Sequence, residues 1–298
     1  LAEYLRYIAE HGKTYEDLDE FTGRAELFFE TDKLINEHNA TNDSFTLGHN
    51  QFSDMTENER SAMLGYRPSD IPEEDREYED FADAPSNGSK DWRGTCVTGV
   101  KDQGQCGSCW AFSSTGAIEG AECVKTGKLY SFSEQQLVDC DRYDGGCNGG
   151  NQNHAFKYLE SNPIIEESVY RYTGRNGTCK QSRYQNTGLR VRDFTWVTPK
   201  SPNALKSALD RQPVSVSIEA DRRVFQQYSS GIFNSSQCGT SLDHAVLLVG
   251  YGSSNGQEYY ILKNSWAKTW GGRGYMRIAV TSGAGICGVQ KEPLFPNM

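Results

Sequence analysis

Gln103-Gly104-Gln105-Cys106-Gly107-Ser108-Cys109-Trp110-Ala111-Phe112 decides how this 298-residue chain is read. A glycine-punctuated turn runs into a helix-compatible stretch, which predicts Cys109 near a helix N-terminus, where the helix dipole stabilises a thiolate. A nucleophile suits that position. Two other readings stand beside it: a structural disulfide cysteine, or a Cys-x-x-Cys redox or metal pair formed by Cys106 and Cys109. A zinc site would require a second closely spaced Cys or His pair, and Cys140 and Cys147 are seven apart.

A thiol nucleophile requires a base and a group that orients the base. His244, in Leu242-Asp243-His244-Ala245-Val246, sits in a stretch that reads as a strand. Asn264, in Lys263-Asn264-Ser265-Trp266, follows a second strand-like run, Tyr259-Tyr260-Ile261-Leu262.

All nine cysteines lie beyond residue 95: Cys96, Cys106, Cys109, Cys123, Cys140, Cys147, Cys179, Cys238 and Cys287. An odd, dense set in one body points to an oxidising compartment and leaves at least one thiol unpaired within the chain. Five Asn-x-Ser/Thr triplets, at Asn39, Asn42, Asn87, Asn176 and Asn234, fit the same setting. The opening from Leu1 is polar and helix-prone, with no charged-then-apolar leader, so a secretion signal is not part of this sequence. The 36% apolar and 11% aromatic content builds ordinary cores and argues against disorder and collagen. Apolar runs such as Ala245 to Val249 fall far short of the ~20 residues that span a bilayer.

The net charge of −10 divides unequally. Residues 1–85 hold 22 Asp/Glu and 7 Lys/Arg, a net of −15, and residues 86–298 are left with +5. This pattern suits an acidic, removable mask on a mildly basic body and offers no basic aromatic face for nucleic acid. Helical spacing covers Ala2 to Asn39 with a break at Gly12-Lys13. Residues 45–54 read as a short strand, and Asp54 is positioned to cap a helix starting near Thr56. The stretch from Pro68 to Ser89, with Pro68, Pro72, Pro85 and a run of acids, reads as an extended, protease-accessible linker.

Taken together, these residues resemble a papain-like cysteine protease of the cathepsin L type in its proenzyme form. Glu20, Arg24, Phe28, Ile35 and Asn39 match that family's interspersed prosegment pattern, with Thr31 where Asn is usual. Gly48, Asn50, Phe52 and Asp54 match its second prosegment motif. The resemblance implies an α+β two-lobe fold: a helical lobe over about 97–195 and a β-barrel-like lobe over about 196–298. An inhibitory helical prosegment, 1–85, precedes them, with a processing point near 83–89. It implies Cys109 as nucleophile, His244 as its proton-holding partner, Asn264 orienting the ring, Gln103 in the oxyanion site and Trp266 shielding the His–Asn bond. Gly150, with Gly107 and Gly149 beside it, would pair with substrate backbone. Disulfides Cys106–Cys147, Cys140–Cys179 and Cys238–Cys287 are implied, leaving Cys96 and Cys123 to pair with each other or remain free. The departure at Thr31 puts one prosegment hydrogen bond in question.

The pocket for the side chain two residues before the scissile bond maps to Asn151, Gln152, Ser217, Leu242 and Glu292, beside Asp243. Four of the five are polar, and a carboxylate at Glu292 suits an Arg guanidinium. The short interval between Cys140 and Cys147 carries no His-bearing insertion, which favours endopeptidase action. The expectation is a monomeric, lysosomal, vacuolar or secreted zymogen. It would act on proteins and peptides, be inhibited by its own prosegment and be activated in acid, without metal, organic cofactor, nucleic acid or membrane partner. A catalytically silent binding homologue and a thiol–disulfide oxidoreductase are the alternative functions.

Overall fold

The computed structural model describes residues 1–41, 44–79, 81 and 88–298. The triplets at Asn42 and Asn87 begin outside this set, as does the expected processing interval except for residues 88 and 89. Helices are α1 (Ala2–His11), α2 (Leu18–Asn39), α3 (Glu57–Ser61), α4 (Cys109–Thr126), α5 (Glu134–Cys140), α6 (Gln152–Ser161), α7 (Pro202–Arg211) and α8 (Arg223–Gln226). Strands are β1 (Phe45–Leu47), β2 (Tyr78–Glu79), β3 (Lys90–Asp91), β4 (Asp193–Val197), β5 (Val214–Ile218), β6 (Tyr228–Phe233), β7 (His244–Ser254), β8 (Gln257–Lys263), β9 (Tyr275–Ala279) and β10 (Leu294–Asn297).

The N-terminal helices follow their sequence signals. Gly12, in left-handed backbone, ends α1, and Asp17 caps α2 by accepting from the Glu20 N–H. Tyr4, Tyr7 and Phe28 then form a small aromatic core between α1 and α2. Arg24 pairs with Glu20 one turn away and, at 2.7 Å, with Glu59 in α3. That guanidinium holds the Glu59 carboxyl down at about 2. Thr31 forms a bond despite its departure from the pattern: its hydroxyl lies 2.8 Å from the Ser53 carbonyl and accepts from Arg223.

Two local expectations are corrected. The strand spans only Phe45–Leu47, because Asn39 closes both its amide groups onto the Leu47 backbone and the chain then turns. The cap of α3 is Thr56, in a capping box with Glu59. Asp54 is buried instead and accepts from Tyr7 (2.8 Å), Tyr15 (2.7 Å) and Lys13 (2.6 Å), three donors from α1 and the turn that follows it.

In the body, α4 lies under β7. Ser113 donates to the Val246 carbonyl at 2.6 Å, and Gly116 admits Leu247. One mixed sheet runs in the order β1-β6-β9-β8-β7-β5-β10-β4-β2, with β3 also on β7. Strand β1 of the N-terminal segment extends the sheet at β6, with Phe45 opposite Gly231. Glycine is required at 231: its φ is 90°, and a Cβ would fall 2.4 Å from the Ser44 carbonyl oxygen. No helix among the described residues is long and apolar enough to cross a membrane.

Candidate active site

Cys109 opens α4, as the turn before it predicts, and is fully buried. His244 is the first residue of β7, and its Nε2 lies 2.9 Å from Asn264 Oδ1, just past the end of β8. With that oxygen accepting, Nε2 carries the hydrogen and Nδ1 is left with a lone pair. Nδ1 has no hydrogen-bond partner among the described residues. Trp266 stacks on the imidazole at 4.5 Å and 23°. The Cys109 sulfur meets backbone N–H groups of Ala245, Gly65 and Trp110.

The local electrostatics keep this pair neutral. Burial pushes the Cys109 thiol up to about 11, outweighing those N–H groups, and brings His244 down to about 4 although Asn264 opposes the shift. The imidazolium form implied for His244 is therefore disfavoured while both groups are covered.

A strap from Met63 to Glu79 provides that cover. Gln103 Nε2 donates to the Met63 carbonyl and to the Cys106 carbonyl, both at 2.8 Å, while its Oε1 accepts from Ser265 at 2.7 Å. Gly65 passes over Gly107 so closely that a Cβ on residue 65 would fall 1.9 Å from the Gly107 carbonyl oxygen. Gly65 O and the Arg67 N–H each bond Gly150 at 2.8 Å, in a parallel bridge centred on Tyr66, and Asn151 Nδ2 donates to the Arg67 carbonyl. Gly149 flanks the Gly65 carbonyl.

Tyr66 points into the space framed by the expected pocket residues. Its N–H donates to the Asp243 carbonyl and its hydroxyl to Glu292. Arg76 reaches the same carboxylate at 3.2 Å while lying 4.3 Å over the Trp196 ring. Leu242 packs against the cluster containing Tyr66. Gln152 and Ser217 are fully buried and joined across the lobes at 3.1 Å. The four disulfides are Cys106–Cys147, Cys140–Cys179, Cys238–Cys287 and Cys96–Cys123, leaving Cys109 free. Cys106 is therefore not available as a redox partner.

Residues 86–297 match the papain family cysteine protease model, and residues 4–59 match the cathepsin propeptide inhibitor domain. The chain belongs to the papain family of cysteine proteases. It is 43% identical to cysteine proteinase RD21A of Arabidopsis thaliana over 98% of its own length but 65% of that protein's. It is 39% identical to chymopapain of Carica papaya, covering 97% of this chain and 84% of that one. Digestive procathepsin L 3 of Tenebrio molitor superposes with a TM-score of 0.90 at 36% identity, over 100% of this chain and 98% of the other. The two-lobe papain fold with an N-terminal helical propeptide is thus the fold of this chain.

The whole strap falls between the two matched regions, and no sequence motif marks Met63, Gly65, Tyr66, Arg67 or Arg76 as site residues. They carry no periodicity, and their partners lie about 40 to 220 positions away. Leu64-Gly65-Tyr66 just ahead of Pro68 is the one local signal that an extended, close-approaching segment begins there. Two residues of the second prosegment motif dock on the body: Asn50 donates to the Gln226 carbonyl, and Phe52 packs edge-on to Trp266 at 4.8 Å.

Proposed function

We propose that the chain is the zymogen of a cysteine endopeptidase, with residues 1–85 as the prosegment and 86–298 as the mature enzyme. One observation carries the reading: the strap occupies the expected place of a substrate, but it presents the Gly65 N–H to the Cys109 sulfur. The segment therefore fills the cleft in the place of a substrate.

Once the strap leaves, water returns to Cys109 and His244, and the proton can pass from sulfur to Nδ1. The thiolate then adds to the scissile carbonyl carbon. The resulting oxyanion takes the Gln103 amide hydrogen now given to Met63, together with the Cys109 backbone N–H. His244 gives its proton to the departing amine as the C–N bond breaks, leaving an acyl-enzyme. Water, deprotonated by His244, then hydrolyses the thioester and regenerates the thiol. Asn264 and the Trp266 ring keep the imidazole in register throughout.

Substrate backbone would pair with Gly150, and the pocket ending at Glu292 would accept Arg or polar side chains. Tyr66 and Arg76 already supply a hydroxyl and a guanidinium to this carboxylate. Cross-segment ion pairs support release in acid: Glu30–Arg223, Asp70–His154 and Glu79–Arg211 place the acid on the prosegment, while Arg76–Glu292 places the base there. Four disulfides suit a vacuolar, lysosomal or secreted setting.

The test is cleavage of matched peptides with Arg or Phe two residues before the scissile bond, by the acid-activated wild type, Cys109→Ser and Glu292→Ala. The expected result is no cleavage by Cys109→Ser and a loss of about tenfold or more on Glu292→Ala for the Arg peptide alone, the scale of a charge-assisted bond. Cleavage by Cys109→Ser would overturn the mechanism. Equal losses on both peptides would overturn the pocket assignment.

A further inference from the structure

His154, at the third position of α6 and one turn beyond Asn151, sits between two carboxylates. Its Nδ1 lies 3.0 Å from Asp144 Oδ1, and its Nε2 lies 2.8 Å from Asp70 Oδ1. The two partners differ in kind. Asp144 belongs to the body, its side chain is 2% exposed, and its second oxygen is buried without a hydrogen-bond partner. Asp70 belongs to the strap, is 72% exposed, and leaves with the prosegment.

The strap lays out the cleft in order. Gly65 lies at Cys109 and Gly107, Tyr66 and Arg67 at Gly150, and Asp70 at His154. The His154 position is therefore the next station beyond Gly150 on the side away from the nucleophile. We propose that His154, backed by Asp144, forms a subsite that selects an acidic side chain at the third or fourth residue before the scissile bond. Asp70 is the occupant seen in the zymogen. This inference rests on the protease reading above.

The chemistry supports a charged ligand. Hydrogen bonding first to Asp144 and then to Asp70 raises His154 to about 9, so with Asp70 in place it is an imidazolium from neutral to acidic pH. The Asp144 contact remains after activation and fixes the ring with Nε2–H outward. The His154–Asp70 hydrogen bond holds Asp70 below the usual carboxylate range. Asp141 lies behind Asp144 and is pushed up by burial and by that neighbour, so it adds little negative charge in acid. Tyr143 borders the ring at 6.0 Å and stays largely exposed, leaving the subsite open. A preference for Asp at this subsite would complement the Arg-tolerant pocket at Glu292, giving an acidic residue followed by a basic one.

The experiment uses the acid-activated enzyme and peptides with Arg in the pocket position that differ only by Asp or Asn at the third or at the fourth residue before the bond. The expected result is an Asp/Asn ratio in kcat/KM of about two- to fivefold at one of these positions, the scale of a partly exposed ion pair. The difference should lie in KM and shrink as salt rises. In His154→Gln the ratio should fall to one, with KM for the Asp peptide rising to that for the Asn peptide. If that variant does not activate, the salt dependence of the wild-type ratio decides. A ratio of one in the wild type, or one unchanged in His154→Gln and insensitive to salt, overturns the subsite and leaves the protease reading intact. Failure to cleave any of the peptides would overturn both.

Discussion

Gly65 crosses Gly107 with backbone against backbone, leaving no room for a side chain: a Cβ would lie 1.9 Å from one carbonyl oxygen and 2.3 Å from its carbon. On the proposed zymogen reading, latency depends on that contact, because it seats the Gly65 N–H on the Cys109 sulfur. Gly65→Ala should lift the strap at a cost of about 1–3 kcal/mol, typical of overpacking a tight contact. Alkylation of Cys109 in the intact chain at neutral pH should then run about 5- to 100-fold faster than in wild type. An unchanged rate would place the seal elsewhere.

Asp54 anchors the prosegment internally rather than capping α3. Replacing it with Ala leaves the Tyr7 and Tyr15 hydroxyls and the Lys13 ammonium facing an empty site, a loss of about 3–5 kcal/mol for a pair this buried. Asp54→Ala should self-process at neutral pH, where wild type stays intact, and Asp54→Asn should fall between them on a gel time course. Stability of Asp54→Ala at neutral pH equal to wild type would contradict this role.

The chemistry-bearing residues were legible because each lies in a short string whose residue types have a mechanical reason: a thiol at a helix start, a His opening a strand, an Asn just after one. Asp54 was misread because a local rule, acid before helix, competed with three donors from the α1 region that sequence proximity does not reveal. Cys96 and Cys123 stayed open because a spacing of 27 residues fixes no partner, whereas the fold sets their Cα atoms 5.3 Å apart. The individual contacts of the strap were not legible, because several are made by backbone atoms, which every residue type carries alike, and those of Tyr66, Asp70 and Arg76 reach partners far along the chain.

The Cys96–Cys123 bridge ties the segment entering α4's lobe to the last turn of α4. Changing both residues to Ser should lower stability by about 2–4 kcal/mol, read as a fall in Tm of the activated enzyme, with kcat/KM unchanged. A loss of activity at temperatures where the variant remains folded would show that the bridge shapes the site.

Acid should undock the prosegment before unfolding it. Asp70, whose carboxyl is depressed by His154, contributes stability above its ordinary value near 4, and that contribution disappears as pH falls through the lowered bound value. Glu59, at about 2, keeps its Arg24 pair well below the ordinary carboxylate value. In the Cys109→Ala chain, hydrogen exchange at pH 3.5 relative to pH 7 should show lost protection across the strap, residues 63–79, with α1 and α2 still protected. Simultaneous loss in both regions would mean that the segment unfolds instead of lifting away.

The central claim is that the strap silences Cys109 by burial, raising the thiol to about 11 and lowering His244 to about 4. Mass spectrometry of the 298-residue chain exposed to an epoxide thiol trap, before and after incubation at pH 4.5 with reductant, tests it directly. The account expects an unlabelled intact chain and a processed species beginning near residues 83–89 with a single adduct on Cys109. An intact chain that labels as fast as the processed one, or a processed chain that does not label, would contradict it.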